Sequence, residues 1–328
     1  MVLGTAAAKL AARAKLAHIA SADSSIEGRA LAPPLVIVGG WRTGTTFLFR
    51  LLAADPRLRA ALPAELTAPW LIAGRSQAER EAAIDASGAA HELLHVLNPR
   101  LAAVHDSGPR LAEECVLAMG TDFRNWGFSS TVRLESYSRW LAGEDLGPSY
   151  RAYRRMLQLL DAGERRWLLK APAHTAELAH VAATFSGACV VFLHRDIVET
   201  IASGASLFAT FRSTYSDRVD AADVGRFMTE QTELWLRRAE RFRSSRASAS
   251  VTIVDVDYVE LIRDTPATLG RIYGAAELTP PADIDAMVQR HHSAAPRGAK
   301  GAHAYEPADF GLDTSELRER FEWLPRRG

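Results

Sequence analysis

This 328-residue sequence has few lysines and no net charge. Only four of its 39 basic side chains are lysines, and 39 acidic side chains balance the basic ones. A neutral chain has no global field that attracts nucleic acid, so we expect no nucleic-acid partner, and any anion site must be local. A content of 48% hydrophobic and 24% charged residues is ordinary for a globular protein with a substantial core.

Cysteines and long apolar runs are also scarce. The two cysteines, Cys115 and Cys189, are 74 residues apart, and Cys189 lies in the apolar run ACVVFL, which favours a buried thiol over a disulfide. No window of 18 residues is both apolar and uncharged, so no membrane-spanning helix is expected. Lys9, Arg13 and Lys15 interrupt the N-terminal apolar stretch, which argues against a signal peptide. A cytoplasmic protein is the default expectation.

Apolar runs typical of buried strands alternate with helical patterns. We predict strands at 35–38, 167–170, 188–194 and 250–259. Because long crossovers separate them, the pattern predicts an α/β protein with a P-loop-type three-layer α/β/α fold, a central parallel sheet and a helical insertion at about 70–162. An N-terminal helix and linker (1–32) precede the main domain (33–328). That helix is expected to pack on the domain rather than lie on a membrane surface.

The most informative segment is GGWRTGTT (39–46), directly after the first predicted strand. A strand–turn–helix junction aims free backbone N–H groups and the positive end of a helix dipole at an anion. A nucleotide-binding loop of the form G-x-x-x-x-G-K-[ST] would need lysine at position 45, where this chain has Thr45. The only cation of the loop is Arg42, and this earlier position suits the distal group of a shorter anhydride.

The loop and the helix pattern after it resemble the P-R-S-G-T-T loop of bacterial and tyrosylprotein sulfotransferases. Trp41 stands where that family usually has proline, and Thr43 replaces its serine. The resemblance implies the donor 3′-phosphoadenosine 5′-phosphosulfate, whose 5′-phosphosulfate the loop would cradle. It also implies that Arg42 contacts the transferring sulfuryl group.

Three further segments extend the resemblance over roughly residues 33–324. In FLHRDIVETIAS, Arg195 and Ser203 are eight residues apart after a predicted strand, as are the Arg and Ser that hold the donor's 3′-phosphate in the family. RWLLKAPAHTAEL resembles the family's L-K-S-P-A-H segment, and HAYEPADFGL resembles its C-terminal H-x-Y-x-x-x-x-F-G-L block. By this resemblance, Lys170 touches the sulfuryl group.

The resemblance supplies a set of donor-binding residues, of which some have equally ordinary alternatives. For Phe47 the alternatives are stacking on the adenine of the donor and a place in the core beside the helix after the loop. For Arg297 and Lys300 they are contact with the donor phosphates and a place in a solvated loop. The role of Trp41 is not explained by the sequence. The complete predicted set is Gly40, Trp41, Arg42, Thr43, Gly44, Thr45, Thr46, Phe47, Arg195, Ser203, Arg297 and Lys300.

Sulfuryl transfer needs the acceptor hydroxyl in line with the bond that breaks, and a base for its proton. It also needs positive charge beside the equatorial and leaving oxygens. Arg42 and Lys170 supply the charge, so no metal is expected. Glu65 lies where tyrosylprotein sulfotransferases carry their catalytic glutamate, although Ala64 replaces the first acid of their G-E-E-T-R segment. His174 is the rival, because cytosolic sulfotransferases use a histidine soon after an analogous lysine. The sequence leaves both candidates open.

The acceptor is not specified by the sequence. We expect a small molecule with a hydroxyl group, such as a lipid, a glycan or an aromatic natural product. The aromatic residues between positions 123 and 153 have three alternative roles: they line the acceptor site, they form a lid over it, or they belong to the core. A small-molecule kinase and a non-catalytic bisphosphate-binding relative are the alternative functions, and the oligomeric state is not predicted.

Overall fold

The computed structural model describes residues 2–161, 163–294, 305–325 and 327. Its centre is a parallel sheet of five strands in the order β2-β3-β1-β4-β5. The strands are β1 (Leu35–Gly39), β2 (Leu58–Arg59), β3 (Arg166–Lys170), β4 (Cys189–His194) and β5 (Thr252–Asp257).

The α-helices of the described residues flank this sheet, and short 3-10 helices lie between some of them. They are α1 (Val2–Ala22), α2 (Ser25–Gly28), α3 (Thr45–Leu52), α4 (Pro63–Thr67), α5 (Gln77–Leu97), α6 (Leu101–Val104), α7 (Phe128–Thr131), α8 (Glu135–Leu141), α9 (Gly147–Leu160), α10 (Leu178–Thr184), α11 (Ile197–Ser213), α12 (Ala221–Arg243), α13 (Tyr258–Arg263), α14 (Thr265–Ala275), α15 (Ile284–Ala294) and α16 (Thr314–Arg320).

Strand β1 shows why the sheet is covered on both faces. Successive side chains of a strand point to opposite faces, and every residue of β1 is buried. Val36 and Val38 belong to a core cluster that includes side chains of α9, α11 and α12. Leu35 and Ile37 belong to a second cluster, formed with α3 and α14. The predicted three-layer α/β/α class is confirmed.

The four predicted strands are present, and β2 is an additional edge strand. Its two residues pair with β3, Leu58 opposite Arg166 and Arg59 opposite Trp167. A two-residue strand is too short to produce a hydrophobic pattern, so the sequence did not predict it. Residues 60–161 contain helices and loops but no strand. The division of the chain into a main domain and an insertion at about 70–162 stays a prediction.

The N-terminal helix α1 packs against the insertion. Lys9 Nζ donates hydrogen bonds to the carbonyls of Leu117 (2.9 Å) and Met119 (2.8 Å), and Lys15 Nζ lies 4.7 Å from the ring centre of Trp70. Burial lowers the pKa of Lys9 to about 8. Among the described residues, no helix combines the length and apolarity needed to cross a bilayer.

Candidate active site

The loop that joins β1 to α3 is built around two glycines with positive φ angles, Gly39 (148°) and Gly44 (89°). A Cβ at Gly39 would lie 2.7 Å from the carbonyl oxygen of Leu193. A Cβ at Gly44 would lie 2.9 Å from the ring of Tyr258. Both positions therefore exclude larger residues. Helix α3 begins at Thr45, so its N-terminal N–H groups point into the turn.

The loop is supported from below by helix α11 and the segment after β3. A Cβ at Gly40 would meet the Thr200 methyl group at 2.5 Å, so the loop backbone lies directly on α11. Thr43 Oγ1 donates to the carbonyl of Gly40 (2.9 Å), and Thr175 Oγ1 accepts from the N–H of Gly39 (3.0 Å). These contacts hold the loop without using the N–H groups at the start of α3.

Trp41 is a core residue, which explains its presence in the loop. Its ring stacks on Trp235 (centroids 4.2 Å apart) and meets Phe208 edge-on at 5.6 Å. A Cβ at Gly204 of α11 would lie only 3.2 Å from the Trp41 Cβ, so α11 approaches the loop closely at that point. The side chain of Trp41 therefore packs the loop against α11 and α12. A ligand in the loop can reach the backbone of Trp41 but not its ring.

Arg42 and Arg195 lie side by side at the mouth of the loop. Arg195 Nη1 donates to the carbonyl of Arg42 (3.0 Å), and its guanidinium lies 4.6 Å from the ring centre of Tyr258. Arg42 Nη1 donates to the carbonyl of Val104 (2.9 Å). Although the Arg42 residue is exposed, partial desolvation of its guanidinium, and then the charge of Arg195, lower the pKa of Arg42. An anion bound between these two arginines would relieve the repulsion between their charges.

The other half of the predicted 3′-phosphate pair is less accessible. Ser203 lies on α11 one turn beyond Thr200, on the side that contacts the loop, and is only 4% exposed. Arg195 is paired with Glu199, with Nε donating to Oε2 at 2.6 Å. The structure thus pairs Arg195 with Glu199 rather than with Ser203, and the 3′-phosphate role of the two residues stays a prediction.

Lys170 reaches the same loop from the end of β3. Its Nζ lies 2.6 Å from Glu114 Oε1 and 3.3 Å from Thr46 Oγ1, in the first turn of α3. The side chain is only 1% exposed. A buried ammonium beside the N-terminus of α3 adds a third positive charge to the loop.

Glu114 lies beside Lys170, although it is not among the site residues predicted from the sequence. The pair Glu113 and Glu114 is more typical of a helix start, and nothing in the sequence brings it near Lys170, which is 56 residues away. Burial raises the pKa of Glu113, but the hydrogen bond and charge of His105, with Lys170, lower it to about 2. The Glu113 carboxylate pairs with His105 (3.4 Å), which leaves Glu114 as the partner of Lys170.

Three cations thus converge on a Gly-containing loop at the carboxyl edge of a parallel sheet. A model of the sulfotransferase family matches residues 33–282 of the sequence. The chain belongs to the sulfotransferase family. Sulfotransferase STF1 from Mycobacterium tuberculosis H37Rv is similar in structure, with 28% identity and a TM-score of 0.81. Sulfotransferase STF9 from Mycobacterium avium is similar in fold, with 24% identity and a TM-score of 0.80.

Each of these two alignments covers 98% of this chain and 84% of the mycobacterial one. A search of curated proteins found no match. The family membership accounts for the fold and for sulfuryl transfer in general. The family match does not specify the roles of individual residues.

Glu65, the first predicted base, takes part in a different cluster. Its Oε1 accepts from Arg59 Nη2 (2.8 Å), and its Oε2 accepts from the N–H of Leu62 (2.9 Å) at the start of α4. Arg59 in turn donates to the carbonyl of Leu160 and lies over the ring of Trp167. No contact within the described residues joins Glu65 to Lys170 or to the loop, so its role as a base stays a prediction.

His174, the rival base, is enclosed in the core. Its Nδ1 lies 2.7 Å from the Tyr150 hydroxyl, and its Nε2 has no partner among the described residues. Burial lowers the pKa of His174 to about 4, so the ring is neutral at physiological pH. Like Glu65, it has no contact with Lys170 in the described part of the protein.

Of the remaining predicted donor contacts, only Phe47, on α3, lies within the described residues. Phe47 is half-buried, edge-on to His291 (centroids 5.4 Å apart) and stacked on His292 (5.5 Å). This aromatic group fits either an adenine platform or a packing contact. Arg297 and Lys300 lie outside the described residues. Within the described ranges, no three His, Cys, Asp or Glu side chains are grouped to hold a metal ion.

Proposed function

We propose that this sulfotransferase moves a sulfuryl group from 3′-phosphoadenosine 5′-phosphosulfate to a hydroxyl group of a small-molecule acceptor. The observation that carries the proposal is the approach of Arg42, Lys170 and Arg195 to one loop. Three cations and the N-terminus of α3 suit a ligand with two separate anionic groups, and no lysine follows Gly44 to serve a nucleoside triphosphate.

The contacts suggest how the donor is held. The N–H groups at the start of α3, with Thr45 and Thr46, bind the 5′-phosphosulfate. Arg195 lies outside this loop but within hydrogen-bond distance of its backbone (3.0 Å to the Arg42 carbonyl). It releases Glu199 and turns to the 3′-phosphate, helped by Ser203 at the surface of α11. A planar guanidinium can bind a phosphate through two parallel hydrogen bonds.

Arg42 and Lys170 act on the transferring group itself. Arg42 neutralises the sulfuryl oxygens, and Lys170 bonds the oxygen that bridges sulfur and phosphorus as negative charge develops there. The acceptor oxygen forms a bond to sulfur while the bridging bond breaks, and adenosine 3′,5′-bisphosphate leaves. Preorganised cations lower the barrier because they need no rearrangement at the moment of transfer.

We assign the proton of the acceptor hydroxyl to Glu114. Its Oε1 lies 2.6 Å from Lys170 Nζ, and its Oε2 accepts no hydrogen bond from the described residues. A carboxylate with a free oxygen beside the sulfuryl-binding lysine meets the geometric requirement for a general base. Glu65 and His174 remain the alternatives, although their contacts are with other parts of the protein.

The test of this function is ligand binding followed by product detection. We expect adenosine 3′,5′-bisphosphate to raise the melting temperature more than ADP or ATP with Mg²⁺ does. With the donor and a pool of hydroxyl metabolites, a mass increase of one sulfate identifies the acceptor. Arg42→Ala should abolish that increase but keep measurable bisphosphate binding. Stronger stabilisation by ATP would favour a kinase, and binding without transfer would favour a silent relative.

A further inference from the structure

A cleft lined by both charged and apolar side chains lies away from the loop, where α11 ends and α12 begins. Its volume is about 420 Å³, and residues 131–133, at the end of α7, form its third wall. Sites for small molecules in proteins commonly enclose about 300 to 1,000 Å³. Neither the loop nor Lys170 and Arg195 line it, so it is separate from the proposed donor site.

Arg212 is the unusual residue of this cleft. It is only 4% exposed, yet its Nη2 makes a single hydrogen bond, to the carbonyl of Ser129 (3.1 Å), and its Nε has no partner among the described residues. A guanidinium has five N–H donors and stays charged in proteins. Burial therefore deprives this charge of water without supplying full hydrogen bonding.

The acidic side chains of the cleft do not supply what Arg212 lacks. The Asp223 carboxylate is held by Arg133, whose Nε and Nη2 lie 2.9 and 3.0 Å from its oxygens, and by Arg226. Asp220 caps α12 by accepting from the N–H of Asp223. Both acids are thus already engaged.

The surroundings add further positive potential. The side chain of Arg218 is exposed and makes no hydrogen bond in the described part of the protein. Three arginines and two aspartates line the cleft, so its own lining carries one more positive than negative side chain. Just outside the lining, Glu135 pairs with Arg133 and Arg226 pairs with Asp223. The 23-residue helix α12 starts at the cleft and directs the positive end of its dipole towards the same space.

We propose that this cleft binds a small organic anion. A carboxylate, sulfate or phosphate head pairs with Arg212 and Arg218, and a short branched apolar body packs against Val132, Val219 and Val224. Such a ligand completes the hydrogen bonding of a buried charge that the protein leaves incomplete. The proposal does not depend on the donor or on sulfuryl transfer.

The experiment uses four probes with one apolar body: 3-methylbutyrate, 3-methylbutyl sulfate, 3-methylbutyl phosphate and the neutral 3-methylbutyramide. Calorimetry and thermal denaturation of the full chain should detect binding of at least one anion, with a melting-temperature rise of about 2–4 °C or more at saturation. The amide should have no effect. The three head groups show which anion the cleft prefers.

Three variants locate the binding. Arg218→Ala, an exposed change, should weaken the anion about tenfold or more, whereas Arg241→Ala, an exposed arginine at the far end of α12, should not. Arg212→Met removes the buried charge at similar volume and should abolish the response; if this variant does not fold, Arg218→Ala decides. The proposal is overturned if no anion binds, if the amide binds equally well, or if Arg218→Ala leaves anion affinity unchanged.

Discussion

Two buried ion pairs in this protein have nearly the same length but differ in how many further hydrogen bonds their members make. Arg59 and Glu65 are joined at 2.8 Å, and Lys170 and Glu114 at 2.6 Å. In the first pair, Arg59 also bonds a backbone carbonyl and stacks on Trp167, while the second Glu65 oxygen accepts a backbone N–H. Each member of this pair therefore has a further partner within the protein.

The second pair is incomplete. Lys170 has three N–H donors. Besides Glu114, its ammonium contacts Thr46 at a long 3.3 Å and lies 5.5 Å from the ring centre of Phe49. Glu114 keeps a free oxygen among the described residues and is 20% exposed. We therefore expect the Lys170–Glu114 pair, whose hydrogen-bonding capacity the described residues leave partly unused, to meet a ligand. We expect the Arg59–Glu65 pair to hold the fold.

Lys170→Met is the strongest test of the incomplete pair. We expect the turnover number to fall by about 10²–10³-fold, because a cation at the developing charge is lost. The affinity for adenosine 3′,5′-bisphosphate should change by less than about tenfold, since the loop and Arg195 still bind it. Release of the bisphosphate from the donor reports turnover with any acceptor. Unchanged turnover would remove Lys170 from the mechanism.

The two glutamates should respond to the same substitution in opposite ways. Glu114→Gln should lower the turnover number by about 10²-fold or more, because the proposed acceptor for the hydroxyl proton is lost. Glu65→Gln should leave turnover of the folded protein nearly unchanged but lower the free energy of unfolding by about 3–5 kcal/mol, because Arg59 is left buried without its partner. Denaturant melts and kinetics on both variants make the comparison. The reverse pattern would restore Glu65 as the base.

Arg195 and Glu199 form a third, exposed pair that sharpens the contrast. Arg195→Ala should weaken adenosine 3′,5′-bisphosphate about ten- to hundredfold, because a charge-assisted phosphate contact is lost, with a smaller effect on turnover. Glu199→Gln removes the competing carboxylate and should leave that affinity equal or higher. Isothermal titration calorimetry measures both. An Arg195→Ala variant with full affinity would show that the 3′-phosphate lies elsewhere.

His174 offers a test on stability rather than on activity. Its pKa is about 4 in the folded protein and 6.5 in the unfolded chain, so the unfolded state binds the extra proton between these values. The free energy of unfolding should therefore fall by about 3 kcal/mol from this group as pH drops from 7 to 4. His174→Gln should make stability less pH-dependent over that range. An equal slope in both proteins would place His174 in contact with water.

The sequence predicted the sheet and the loop well because both depend on local patterns. Val36 and Val38 lie in an apolar run that is buried on either face, and Gly44 is required by a φ angle of 89°. The strand β2 was missed since two residues carry no pattern. Trp41 had no explanation until its stacking on Trp235 was visible.

The candidate site was predicted in part. Arg42, Lys170 and Arg195 were named from the sequence, and the structure places all three around the loop. Glu114 was not, because its closeness to Lys170 depends on the path of the insertion between β2 and β3. The base could not be chosen from spacing, since a carboxylate on any of several loops can reach the same lysine.

The sequence by itself determined the parallel sheet, the glycine-containing turn after β1 and the positions of the cations that follow its strands. Those properties follow from local periodicity, glycine and chain order. Only the tertiary structure decided which partners each buried charge has. Hydrogen-bond completion is a sum over neighbours from distant segments, and Glu65 and Glu114 differ in those neighbours alone.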